Sequence, residues 1–170
     1  MRFTYATLLI GALALSACTN PDRFGADGAG PDGGVAEGMG IDGSPLDPTS
    51  PAYFQQTVGD RVLFEVDQAT VSPEFQPMLA SQAQWLNQNP EYTALIEGHA
   101  DEQGTREYNL ALGARRANAV QTYLISQGVS PNRLRTVSYG KERPLEICSE
   151  EGCYRQNRRA VTVVAAGGLS

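Results

Sequence analysis

The 170-residue sequence has little of what catalysis and metal binding draw on: a single histidine, His99, three cysteines and one tryptophan. No second histidine stands anywhere to complete a metal set with His99, so a His-based metal centre is poorly supplied. No G-x-S-x-G elbow occurs, and His99 has no Ser or Cys beside it in a motif, which removes the usual nucleophilic hydrolases. There is no excess of positive charge. Thirteen Lys and Arg against nineteen Asp and Glu give a net charge of −6, and a nucleic-acid binder would need a basic stripe. Nor is there an apolar run of the twenty or so residues that span a bilayer.

The charge that is present is unevenly placed. Residues 19–51 carry six acids and one base, whereas residues 52–170 carry thirteen acids and eleven bases. The first segment also holds eight Gly and five Pro, with Asp-Gly at 27–28, 32–33 and 42–43 and few large apolar residues. Such a segment cannot bury enough surface to offset its ordering entropy. It is expected to be a flexible tether, about 30 Å in r.m.s. span and about 110 Å when taut.

Ahead of it, Arg2 supplies a positive start and "ATLLIGALALSA" an apolar stretch too short for a permanent span, which is the layout of a secretory signal. The stretch ends in "LSAC", Leu15 to Cys18, which resembles the lipobox of bacterial lipoproteins. The resemblance implies a signal peptide over 1–17, cleavage before Cys18 and lipid on that residue. Each buried acyl CH₂ contributes about 0.8 kcal/mol, so several chains make a durable anchor. Thr19, not Asp, would follow the lipidated residue, which by similarity to enterobacterial lipoproteins points to the periplasmic face of the outer membrane. Cys148 and Cys153 then remain. In an oxidising compartment they suit a small disulfide-closed loop, whereas two cysteines and one histidine make a poor zinc site.

From about Tyr53 the texture is that of a folded domain, assigned to 52–170. "RVLFEV" (61–66) reads as a strand. Residues 72–90 read as a helix, with Ser72 as cap, Pro73 at its first position, Pro77 near its start and a stripe of Phe75, Leu79, Ala83 and Leu86. "YTALIEG" (92–98) is a second strand. Thr105 caps a long helix to about Gln127, its stripe running through Tyr108, Leu112, Ala119, Val120, Tyr123 and Leu124, and Gly128 ends it. Strands follow at 134–140 and 158–166. The order β-α-β-α-β-β suits an α+β domain, one mixed sheet with two main helices packed on it.

The segment "EGHADEQGTREYNLALGARRANAVQTYL" (97–124), with "VLFEVD" before it and "VSYGKERP" and "NRRAV" after it, closely resembles OmpA-like peptidoglycan-binding domains over about residues 62–164. The resemblance implies a site for the free end of meso-diaminopimelate in the peptidoglycan stem peptide, one ammonium and one carboxylate on the same carbon. Asp101 stands where the family binds the ammonium and Arg116 where it clamps the carboxylate. Phe64, Asp67, Gly104, Thr105, Tyr108, Asn109 and Leu112 stand at or around the remaining contact positions. Gln103 occupies a position where many relatives have arginine, and Glu65 and Val66 depart from the commoner "FDFD" pattern. For lipid-anchored members the resemblance further implies TolB, and TolA, as partners, and no cofactor.

The residues allow plainer roles. Asp101 could cap a turn, Arg115 and Arg116 could be a solvated helix face, and Arg158–Arg159 ordinary edge charge. A wall hydrolase would set two carboxylates across a sugar bond, for instance Glu97 or Glu102 with Asp67, but no spacing signature supports it. The expectation is a binding module without catalysis. The same domain serving another envelope apparatus is the alternative.

Overall fold

A computed structural model describes residues 43–167. The signal segment, Cys18 and the tether up to residue 42 lie outside the described residues, as do residues 168–170. Four strands form one sheet: β1 (Arg61–Leu63), β2 (Tyr92–His99), β3 (Leu134–Gly140) and β4 (Arg159–Ala166). Their spatial order is β1-β4-β2-β3, with β4 antiparallel to both neighbours and β2 parallel to β3. Parallel neighbours need a crossover, supplied here by the helix α3 (Arg106–Ser126). The other long helix, α2 (Gln76–Gln88), joins β1 to β2. The architecture is the expected α+β arrangement of a mixed sheet with two main helices.

Local chemistry sets the helix limits. The Thr105 side chain accepts the backbone N–H of Tyr108, and Gly128 just beyond α3 has φ +91°, where glycine is favoured. At α2 the structure differs from the reading. Residues Pro73–Phe75 form a 3₁₀ turn, the α-helix starts at Gln76, and Ser72 makes no capping bond. Pro77 sits in the first turn, where its missing N–H costs nothing.

The buried face of α3 also differs. Tyr108 is 44% exposed, and the inward positions are Leu112, Gly113, Arg116, Ala117, Val120 and Leu124. Small residues are needed because helix and strand meet there. A side chain on Gly98 would run into the Gly113 backbone, and one on Gly113 into Ser138 and Gly98. Ser138 Oγ instead donates to the Leu110 carbonyl at 2.6 Å. The core closes around Phe54, Val62, Leu79, Ile96, Val120 and Leu124.

Three features were not in the reading. The strand expected over 61–66 stops at Leu63. A third longer helical segment, α4 (Glu151–Asn157), lies between β3 and β4, just after the disulfide partner Cys148 and containing Cys153. Ahead of β1 come the single turn α1 (Pro51–Tyr53), capped by Ser50, and a π-helical stretch over Phe54–Gly59. Phe54 packs on Trp85 at 4.9 Å, and Trp85 Nε1 donates to the Pro48 carbonyl at 2.7 Å. The packed part therefore begins ahead of the residue-51 boundary drawn for the tether. Among the described residues no helix is long and apolar enough to cross a membrane.

The Gly98–Gly113 contact sets the distance of α3 from the sheet. Gly113→Ala should destabilise the domain by about 1–3 kcal/mol, as overpacking does, read as a lower thermal midpoint. An unchanged midpoint would contradict this packing.

Candidate functional site

The chain between β2 and α3, residues 100–105, is held from several sides. Asp101 Oδ1 accepts the N–H of Gln103 at 3.1 Å, a side-chain turn that fixes the carboxylate relative to its own loop. Asn109 Nδ2 donates to the Gln103 carbonyl at 2.7 Å, and Lys141 Nζ to the Gly104 carbonyl at 2.8 Å. Gly104 has φ +90°, which lets the backbone turn into the helix. Glu102 accepts from Ser149 Oγ at 2.9 Å and Tyr154 Oη at 2.8 Å. Those two bonds, the Tyr154 one foremost, hold its carboxyl below the usual range. Asp101 therefore makes the turn bond that a plainer reading allowed, whereas Glu102 is held by residues far along the chain.

Beside the loop lies a groove of about 330 Å³, lined by Val66, Asp67, Asp101, Gln103, Gly104, Tyr108, Asn109, Leu112 and Arg116. Seven residues expected from sequence are thus brought together there, and Val66 and Gln103 join them. Tyr108 Oη donates to Asp67 Oδ1, tying the helix to the chain beyond β1. Asp67 itself has φ +59°, an uncommon conformation outside glycine that Asp tolerates. Thr105 caps the helix rather than lining the groove. Phe64 is also absent from the lining. It is 3% exposed, and its ring lies 5.3 Å from the Arg116 guanidinium, which it supports from behind.

Arg116 is not a solvated helix residue. It is fully buried and donates from Nε to the Gln68 carbonyl (2.8 Å), from Nη1 to His99 (2.8 Å) and from Nη2 to Glu65 (3.2 Å). A guanidinium has five N–H donors, so these bonds leave two. Burial brings its pKa down to about 10, with Arg158 adding to the fall and Asp101 opposing it. The cation is stitched into the fold, and Arg116 is one of the residues that line the groove.

A second buried guanidinium, Arg158, completes the cluster, which excludes the ordinary edge charge that the sequence allowed there. Arg158 is 2% exposed. It donates from Nε to the Phe64 carbonyl (3.1 Å), from Nη1 to Asp101 Oδ2 (3.2 Å) and from Nη2 to Glu151. Burial works against its charge, but Glu151 and Asp101 outweigh it and push its pKa up. A signal for this was present. In the strand expected over 158–166, Arg158 shares parity with Ala160 and Thr162, both of which are buried.

His99 takes no part in the groove except through its carbonyl. Its ring is 2% exposed, lies 5.5 Å from the Tyr139 ring, and neither nitrogen has a hydrogen-bond partner among the described residues. Glu97 is 3.7 Å away. Burial, then the charges of Arg159 and Arg143, bring its pKa down to about 4. Among the described residues no group of three or more His, Cys, Asp or Glu is placed to hold a metal.

The chain matches the OmpA family over residues 63–159. It is 47% identical to the peptidoglycan-associated lipoprotein of Rhizobium meliloti over 94% of this chain and 86% of that protein. It is 46% identical to that of Brucella melitensis over 98% and 95%. The crystal structure of the peptidoglycan-associated lipoprotein from Burkholderia pseudomallei superposes with a TM-score of 0.64 at 40% identity, covering 71% of this chain and 98% of that one. The chain belongs to the OmpA family and, within it, to the peptidoglycan-associated lipoproteins.

The buried neutral histidine makes a pH prediction. The unfolded state takes up the His99 proton near pH 6.5 and the folded state only near pH 4. Between those values the unfolded chain holds the extra proton, so stability falls as pH drops from 6.5 to 4, by about 3 kcal/mol in all. Glu102 and Glu151, held below their usual 4.5, lose their contributions only below that value. Denaturant midpoints measured from pH 7 to 4.5 should decline for the native chain and stay flat for His99→Gln. Parallel declines would contradict the assignment.

Proposed function

We propose that the protein is a non-catalytic anchor that binds the meso-diaminopimelate end of the peptidoglycan stem peptide in the groove beside Asp101. The observation that carries this reading is the juxtaposition, along one groove, of Asp101 and Asp67 with the cationic Arg116. A ligand carrying ammonium and carboxylate on one carbon needs both signs within a few ångströms. The loop is already ordered by bonds to Gln103, Asn109 and Lys141, so little is lost in fixing it on binding. The relatives' name, peptidoglycan-associated lipoprotein, supports peptidoglycan as the partner.

Lipid on Cys18 would hold the chain to the periplasmic face of the outer membrane, and the segment from Thr19 onward would reach the wall. A tether makes wall binding effectively intramolecular, so modest affinity per site suffices. By the family resemblance, the protein would work with TolB and TolA in the Tol-Pal system, during envelope constriction at cell division. Retrieval of TolB from cross-linked cells tests that part. Retrieval of only another apparatus would replace it.

The groove is tested by calorimetric titration of the purified full chain with a stem peptide containing meso-diaminopimelate, using the lysine-containing peptide as control. The control lacks the carboxylate and should bind about tenfold more weakly or worse, and Asp101→Asn should weaken the first peptide by a similar factor. Asp101→Asn is a cleaner probe than Arg116→Ala, which would strand three backbone carbonyls. Equal affinity for both peptides, or none with the chain folded, would contradict the reading. Release of soluble fragments from purified peptidoglycan would contradict the absence of catalysis.

A further inference from the structure

Asp101 is the groove carboxylate whose second oxygen is held by another side chain. Its Oδ2 accepts Arg158 Nη1 at 3.2 Å, and the same nitrogen also faces Glu151 Oε2 at 3.5 Å. Arg158 does not line the groove. It therefore reaches a ligand only through Asp101. Two acceptors divide one cation, and the share that Glu151 takes sets how much negative charge Asp101 retains for an incoming ammonium. Glu151 is the first residue of α4 and lies inside the loop closed by the Cys148–Cys153 disulfide, whose Cα atoms are 6.0 Å apart. Its side chain is 67% exposed, so it has no packing role that would hold it in place. What holds it is the short covalent loop and the guanidinium.

We propose that Glu151 is a positioning residue for ligand binding: carried on the disulfide-closed turn, it shares the Arg158 cation with Asp101 and so leaves that carboxylate more of its charge for a ligand ammonium. The proposal rests on the wall-binding reading above. Without Glu151, Arg158 turns its full charge on Asp101, and the ammonium meets a neutralised partner. The loop carries a second connection to the site, since Ser149 and Tyr154 both donate to Glu102. The test must separate the two.

The experiment is a cycle of dissociation constants on the full chain with the diaminopimelate stem peptide: native, Glu151→Gln, Cys148→Ser with Cys153→Ser, and all three changes together. Glu151→Gln should weaken binding about threefold, the scale of an exposed ion pair. The loss should shrink as salt is raised from about 0.05 M to about 0.5 M. A merely structural role would not be screened. The cysteine pair should weaken binding by a similar factor, and the triple variant by no more than either, because both act through one contact. Factors that multiply in the triple variant would route the loop's effect through Glu102 and overturn the proposal. Equal affinities for the native chain and Glu151→Gln would overturn it alone. Failure of the native chain to bind would overturn the wall-binding reading and this proposal together.

Discussion

The structure turns on two guanidinium groups that are out of water. Arg116 and Arg158 between them take the backbone carbonyls of Phe64, Glu65, Gln68 and His99. A buried charge is tolerated only when hydrogen-bonded and paired. Removing Arg116 would leave three carbonyls without that donor, and removing Arg158 would leave the Phe64 carbonyl and the Asp101 carboxylate without theirs; breaking a buried ion pair costs about 3–5 kcal/mol. The chain after β1 leaves the sheet at Leu63 because its carbonyls turn to these cations rather than to a neighbouring strand. The turn that results places Asp67 opposite the loop that carries Asp101.

From that constraint the site follows. α3 must lie close enough to β2 for Arg116 to reach the His99 carbonyl, and the glycines at 98 and 113 permit it. Arg158 ties the start of β4 to the end of β1 and to the β2–α3 loop. The groove is thus walled by segments distant in sequence and cross-braced by two cations. Such a site is ordered before a ligand arrives. The disulfide loop extends the same network outward through Glu151, and Asn157 at the end of α4 holds the chain at Leu145 and Glu146.

Features set by local chemistry were legible in the sequence. The Thr105 cap and Gly128 bound α3, and β3 occupies residues 134–140 as read. The groove residues were legible through their resemblance to a family, not through spacing. What escaped depends on contacts far apart in the chain. The seven residues of α4 are too few to show a helical period, and they are stabilised by a disulfide and by Arg158. The shortening of β1 is invisible without knowing that two arginines compete for its carbonyls. The expected Tyr108 and Ala119 positions of the α3 stripe gave way to Gly113 and Ala117, since periodicity scores apolarity and not closeness of approach. Arg158 looked like edge charge because an arginine beside an arginine ordinarily faces water.

The central claim is that these two cations and the Asp101 loop form one pre-ordered receptor for a zwitterion. Chemical-shift mapping on the isotope-labelled chain tests it most directly, by titration with the diaminopimelate stem peptide. The account predicts that the side-chain Nε–H signals of Arg116 and Arg158 are protected before ligand is added. They should then shift together with the amides of Asp67, Gln103 and Gly104, along one saturating curve. Exchange-labile arginine signals in the free chain, or shifts confined to another face while these stay still, would contradict it.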